Sequence, residues 1–381
     1  MLDADLIILG GGCAGLSLAA RLAVHRKQLR VIVIEPRARY EEDRTWCGWR
    51  IAPHFFSDCC VGEWRQWRIG TRESSMLLGS DRYPYEMVRS SLFYEKALGL
   101  IAASPGSSVL QGARAMSVQD TSEAVMVTLE DGRCLTAPFV IDTRPEGPPV
   151  LQHPWLWQNF VGYVVRVQPD AYSILDEVPV LMEFQPSGSS VVQFMYVLPV
   201  HPGCFLCECT RFSTVRGEQE EIEQELTTWL DSRFRSGWVA HRRESGSLPM
   251  APPQRQPGGR IIAAGTRGGS MRASTGYAFH RIQRWAERCA QSLLETGRPL
   301  APERHRLLEV MDQLFLEVLQ QPSTSASAIL STLFRSAPSD PLVRFLSGVP
   351  LAGDFWPIVR GLPWARFVRA TPSLLANPGG R

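Results

Sequence analysis

The chain lacks any stretch approaching about eighteen uninterrupted apolar residues, which argues against a transmembrane helix. It also lacks a basic N-terminal region followed by an apolar segment and a cleavage site, so no targeting peptide is expected and the expected compartment is the cytoplasm. Charge of one sign is missing too: 40 basic residues against 38 acidic ones leave a formal +2. With the signs mixed along the chain and no nucleic-acid-binding motif, nucleic acid is not an expected partner. Nine cysteines, an odd number without secretory context, read as reduced thiols, mostly small buried hydrophobes. Cys204 and Cys207 have C-x-x-C spacing with Cys209 just beyond. No second pair and no nearby histidine complete a ligand set, so no metal is expected.

What the chain does have is a short apolar strand, Leu6-Ile7-Ile8-Leu9, running directly into Gly10-Gly11-Gly12-Cys13-Ala14-Gly15, the G-x-G-x-x-G spacing of a dinucleotide cradle. Gly10 permits the tight strand-to-helix turn, Gly12 lets backbone approach a pyrophosphate, and Gly15 lets the helix pack close on the strand. A helical stretch from Leu16 follows, then Val31-Ile32-Val33-Ile34 ending in Glu35, an acid suited to a ribose diol. Only one such fingerprint is present, so an NAD(P)H reductant is expected to visit transiently or to act through a partner.

The length allows two domains. Residues 1–150 and 248–300 are expected to form a discontinuous nucleotide domain, 151–247 an antiparallel-sheet substrate domain, and 301–381 a helical region. Arg37 to about Tyr83 reads as irregular and rich in aromatics, with Trp46, Trp49, Trp64 and Trp67, and residues 84–101 read as a helix with a Pro start. Strands run from Ser108 to Arg144, with a hairpin turn at Asp131-Gly132. Four alternating runs between Asn159 and Phe212 suggest an antiparallel sheet, followed by a charged helix from about Glu218 to Phe234. A strand at Arg260 to Gly265 leads into a helix from Gly276 to Leu294, with Phe279, Ile282, Ala286, Cys289 and Leu293 on one face and Arg281, Arg284 and Arg288 on the other. From Phe334 onward six arginines and two aspartates accompany Phe355, Trp356, Trp364 and Phe367. That composition suits a surface lying on an anionic bilayer and equally an amphipathic tail packed on the protein's own core.

In order along residues 5 to about 285 the chain carries G-G-G-C-A-G-L with Glu35, R-T-W-C-G-W from Arg44, Q-N-F-V-G-Y from Gln158, L-M-E-F at Leu181, F-M-Y-V-L-P at Phe194, F-L-C-E-C-T at Phe205 and G-T-R-G-G-S-M-R-A-S-T-G-Y-A-F from Gly265. This series resembles the flavin-dependent lycopene cyclases of carotenoid synthesis; the last hundred residues match only loosely. The resemblance implies an α/β fold like that of the aromatic hydroxylases: a Rossmann-like, discontinuous FAD domain, an antiparallel substrate sheet and a helical C-terminal region. It implies conversion of the ends of lycopene, or a related linear carotenoid, into β-ionone-type rings without net redox change. FAD would be needed in its reduced form. From the C-terminal composition the expected location is cytoplasmic, peripheral on the inner face of the membrane, and no protein partner is evident. The cofactor residues it points to are Gly10, Gly12, Gly15, Glu35, Gly265, Gly268 and Gly269. Arg89 joins them, on the helix where hydroxylase-like folds often place a flavin-contacting arginine.

Ring closure of an isolated alkene begins by protonating carbon, a poor base, which requires a carboxylic acid kept neutral in a dry pocket. Glu208 is the candidate. On a strand it shares a face with Leu206 and Thr210, while Phe205, Cys207 and Cys209 share the other, and it matches the acid of the family's F-L-E-E-T-like motif. Where the family often has a second acid, this chain has Cys209. A second carboxylate, if one assists, is expected from Glu183, which is otherwise a salt-bridged structural acid. Phe194, Tyr196, Trp46 and Trp49 are candidates for an aromatic lining around a carbocation. Competing readings are an FAD-dependent monooxygenase or reductase acting on an isoprenoid, and a non-catalytic prenyl-lipid carrier. Thr266 after Gly265, where flavin hydroxylases usually carry Asp, weighs against the monooxygenase.

Overall fold

Every side chain of β1 (Leu6–Leu9) is buried, because the strand lies at the centre of a parallel sheet with both faces covered. The computed structural model describes residues 2–25, 29–145, 151–168, 177–186, 191–235, 237–252, 259–321 and 325–376. After β1 come α1 (Cys13–Ala23) and β2 (Val31–Glu35), the β-α-β unit read from the sequence. The next segment is not irregular: β3 (Thr45–Trp49), β4 (Cys60–Trp64), β5 (Gln66–Gly70), β6 (Ser75–Gly79) and β7 (Tyr85–Arg89) precede α2 (Ser90–Ala102). β7 is the first half of the helix expected over 84–101. Paired with β3 on one side and β4 on the other, it buries Tyr85, Glu86, Met87 and Val88 in succession, which removes the alternation that marks a strand.

The chain continues through β8 (Ser107–Gln111), β9 (Ala115–Asp120), β10 (Val125–Leu129), β11 (Cys134–Ala137), β12 (Val140–Asp142), β13 (Leu156–Val167), β14 (Val180–Gln185), β15 (Val192–His201) and β16 (Cys204–Ser213). Then follow α3 (Gln219–Arg233), β17 (Trp238–Met250), β18 (Ile261–Ala263) and α4 (Phe279–Thr296). Last come α5 (Arg306–Leu319), α6 (Ala326–Ser336), α7 (Ser339–Leu346), α8 (Phe355–Gly361) and α9 (Trp364–Ala376). The parallel sheet has the order β18-β12-β1-β2-β8, so the late strand β18 joins strands from the first third of the chain. Helices α1, α2 and α4 cover one face, and the small sheet β11-β10-β9, turned at Gly132 with φ +85°, covers the other. The buried stripe of α4 is the one read from the sequence, but Arg281 and Arg284 are not a solvated face. They donate to the carbonyls of Gly269 at 3.3 Å and Ser347 at 3.2 Å.

The larger sheet has the order β17-β13-β16-β15-β14-β5-β6. The two strands at one end of it, β5 and β6, come from the aromatic-rich segment near the N-terminus, and β5 pairs with β14 in parallel. One face packs on α3 through Ile222, Leu226, Trp229 and Leu230. The other face, with Trp49, Tyr85 and the helices α5 to α9, encloses a second core that contains a cavity. Among the described residues no helix is long and apolar enough to cross a membrane.

Candidate active site

Three neighbouring strands bring the chemistry together. In the antiparallel register Gly162 of β13 stands opposite Glu208 of β16 on one side and opposite Glu244 of β17 on the other. A Cβ at position 162 would lie 2.6 Å from Glu208 Cγ and 3.1 Å from its Oε1, so the carboxyl of Glu208 rests where any other residue would put its side chain. Across that notch the Glu208 and Glu244 carboxyls stand close enough to act on each other's protonation. Glu244 Oε2 accepts from Arg242 at 3.2 Å. Arg242 in turn donates to Thr45 Oγ1 at 2.6 Å and pairs with Glu42 at 3.5 Å. Burial pushes Glu208 well above the usual carboxylate range, and the charge of Glu244 pushes in the same direction. Burial also raises Glu244, while Arg242 pulls against it.

The pair lies in the wall of a cavity of about 260 Å³. Phe160, Phe194, Tyr196, Leu206, Thr210 and Phe212 of the sheet line it, with Trp49 and Tyr85 beside them and Leu333, Phe345, Ile358, Leu362 and Phe367 from the helices opposite. The face partition read for β16 holds: Leu206, Glu208 and Thr210 face the cavity, and Phe205, Cys207 and Cys209 belong to the layer under α3. Trp49 packs edge-to-face on Tyr85 with centroids 5.1 Å apart, and the Tyr85 and Tyr196 hydroxyls are 2.9 Å apart. Trp46 points elsewhere. It stacks on Phe279 at 5.6 Å, in the core beneath the parallel sheet.

Glu183 does not join Glu208. It is on the opposite face of the sheet, where its Oε1 accepts from the indole Nε1 of Trp229 at 2.9 Å and from Gln185 Nε2 at 3.2 Å. Strand alternation explains the separation, since Phe184 and Phe194 are paired neighbours on the cavity side and Glu183 and Met195, one residue along, point the other way. The second carboxylate is Glu244, which the sequence reading did not single out. Its signal was an acid in an otherwise strand-like stretch, Arg242-Arg243-Glu244-Ser245-Gly246.

The glycine turn keeps the backbone that a dinucleotide needs. Gly10 has φ +95°, and a Cβ on Gly15 would stand 2.0 Å from the Gly10 carbonyl oxygen. A Cβ on Gly12 would meet nothing within 4 Å, so open space lies before α1, whose N-terminus has no side-chain cap. Glu35 accepts the Gly11 N–H at 2.7 Å and Arg37 Nε at 2.9 Å. Burial alone would raise its pKa, but these donors hold it below the usual range. At the second turn Gly265 has φ +64° and Gly269 φ +86°. A Cβ on Gly268 would lie 2.5 Å from the Ala263 oxygen, and the buried Ser270 hydroxyl has no partner. These residues fit a dinucleotide. Arg89 ends β7 instead of lying on a helix, and its Nε donates to Glu42 Oε1 at 3.1 Å, which ties it to the Arg242 side of the acid pair.

Two further networks brace the walls. Buried Arg272 binds Asp312 at 2.9 and 3.0 Å, and Ser274 Oγ donates to the same carboxylate at 2.7 Å, joining the second glycine turn to α5. Fully buried Glu86 takes His54 Nε2 at 2.6 Å and His280 Nε2 at 2.8 Å on one oxygen and Arg50 at 3.2 Å on the other. Burial opposes its ionisation, but the two histidine contacts hold its pKa at about 2.

Known structures with this fold include a geranylgeranyl bacteriochlorophyll reductase-like protein from Thermoplasma acidophilum, with a TM-score of 0.63, 15% identity and 98% of each chain covered. Aklavinone-11 hydroxylase, solved with FAD and aklavinone, matches with a TM-score of 0.59 and 14% identity over 95% of this chain and 70% of its own. The fold is therefore that of the flavin-dependent hydroxylases and their relatives. The profile of the family described as lycopene cyclase protein matches residues 5–371, and the chain belongs to that family. Among its relatives, the lycopene β-cyclase of Pseudescherichia vulneris is 25% identical over 305 residues, 76% of this chain and 74% of the relative. The lycopene β-cyclase of Paracoccus sp. strain N81106 is 26% identical over 287 residues, 72% and 70% of the two chains.

Proposed function

We propose that this protein closes β-ionone-type rings at the ends of lycopene or a related linear carotenoid, with Glu208 as the proton donor. The observation that carries the reading is a half-buried carboxyl, held above its ordinary pKa, in the wall of an apolar cavity. Glu208 protonates the terminal alkene to give a tertiary cation. The neighbouring alkene attacks, a six-membered ring forms, and the carboxylate left on Glu208 is the nearby base for the proton that the ring sheds. Protons and electrons balance, so the step is an isomerisation. The faces of Phe194, Phe212, Tyr196 and Trp49 stabilise the cation, and the apolar lining keeps water from quenching it.

Gly10, Gly12, Gly15 and Glu35 would hold FAD at the first turn, and Gly265, Gly268 and Gly269 at the second. Reduced FAD held there would supply negative charge and no net electron, and NAD(P)H would be its transient reductant. Support comes from the fit of both turns and from the FAD named with the hydroxylase neighbour. Gly12→Ala, which meets no protein atom, should fold normally yet release less flavin on heating than the parent. Equal flavin content would remove Gly12 from the cradle.

Substrate entry is assigned to α8 and α9. Ile358, Leu362 and Phe367 line the cavity, while Trp356 and Trp364 on the same helices are 70% and 68% exposed beside Arg360. This face suits the inner membrane surface, from which a lipophilic chain passes directly to the acid. Co-sedimentation with anionic vesicles should fall in Trp356→Ser/Trp364→Ser, and undiminished binding would place the contact elsewhere.

The deciding test is expression in a lycopene-accumulating bacterium. The parent should turn red pigment to orange and Glu208→Gln should leave it red. Consumption of one NAD(P)H per product would instead establish a reductase.

A further inference from the structure

We propose that Glu244 is the positioning residue that keeps the acid loaded: held as an anion by Arg242, it accepts the hydroxyl hydrogen bond of Glu208 across the notch left by Gly162. The inference rests on Glu208 being the proton donor and adds what determines its protonation state.

Two carboxyls facing each other across one glycine, removed from bulk water, favour one proton between them. Glu244 Oε2 is occupied by Arg242 at 3.2 Å, whereas Glu244 Oε1 is buried without a hydrogen-bond partner beside the notch, so a hydroxyl on Glu208 is the donor that would complete it. Arg242 decides which acid carries the charge. The guanidinium is held on the Glu244 side by Thr45 and Glu42, and Glu42 is itself clamped by Arg89, so while Glu244 is present the cation pairs with it and not with Glu208. Gly162 permits the contact, because a Cβ there would collide with Glu208 Cγ at 2.6 Å. The other groups facing the pair leave this assignment intact. Arg44, ahead of β3, acts on Glu244 and not on Glu208. Cys47, Cys207 and Tyr196 are all raised by burial and stay neutral. Glu208 is thus loaded at neutral pH by an anion neighbour, and because Glu244 lines the same cavity the cation created by the transferred proton forms near that negative charge.

The test is the pH–rate profile of flavin-reconstituted protein on lycopene-loaded vesicles, with the infrared band of a protonated carboxylic acid as a readout independent of turnover. In Glu244→Gln, Arg242 faces Glu208 as the remaining acid of the pair, and Glu208 ionises to meet it. Cyclisation at pH 7 should fall about tenfold or more, the alkaline limb should move acidward by about one pH unit or more, and the protonated-acid band should vanish at neutral pH. Arg242→Gln/Glu244→Gln removes both charges and should restore the band and most of the rate. An unchanged profile in Glu244→Gln, a loss equal at all pH values, or no recovery in the double variant would each overturn the inference. If Glu208→Gln cyclises like the parent, the acid assignment itself falls. If Glu208→Gln is inactive and Glu244→Gln keeps the parental profile, only the role of Glu244 falls.

Discussion

Glu183 and Glu208 are both strand residues of one sheet, one on each face, and they differ in what meets them. Glu183 receives an indole N–H and an amide, two donors that favour a charged or polar acceptor. Glu208 meets a second carboxyl, so the pair must keep a proton. Removal from water is common to both and does not distinguish them. What separates the two acids is the partner each one meets.

The comparison breaks most sharply in activity. Glu208→Gln should lower cyclisation by roughly 10²- to 10⁴-fold, whereas Glu183→Gln should stay within about threefold of the parent, read by carotenoid chromatography; equal losses would end the distinction. Next in size is a contrast with Glu86, whose partners are all donors. Its folded pKa of about 2 lies below the ordinary 4.5, so its stabilisation is fully present above about 4.5 and is lost as pH falls toward 2. Glu86→Gln should therefore reduce stability by roughly 2–3 kcal/mol at neutral pH and by little near pH 2 in urea titrations.

Glu208 has the opposite sign. With its folded pKa raised, the folded state binds a proton that the unfolded chain releases above about 4.5, so stability falls as pH rises past that value. Glu208→Gln should be the more stable protein at pH 7, with the gain gone below about pH 4. A loss of stability at pH 7 would show that the acid is satisfied as an anion. The smallest effect is expected from Trp229→Phe. It removes the donor to Glu183 and should lower stability by about 1 kcal/mol while leaving ring closure intact.

Features carried by local spacing were legible in the sequence. The first glycine turn and Glu35 lie within one β-α-β unit, and the alternation of Phe205 to Thr210 separated cavity side from α3 side. β7 was misread because pairing on both edges buried consecutive residues, and Trp46 because an aromatic beside a motif carries no direction. Arg89 was placed on a helix for the same reason that β7 was missed. Glu183 was an acid of the right type on the wrong face.

The sequence by itself determined the family, the dinucleotide cradle and the face on which Glu208 stands, since each depends on residues a few positions apart. Only the tertiary structure decided which acid meets Glu208. That choice depends on the register of β13 between β16 and β17, which sets Gly162 between two carboxyls and leaves room for both. Spacing along a chain specifies periodicity, whereas Glu208 meets its neighbouring acid across strands, beside an arginine anchored in part by Glu42 and Thr45 from the N-terminal part of the chain.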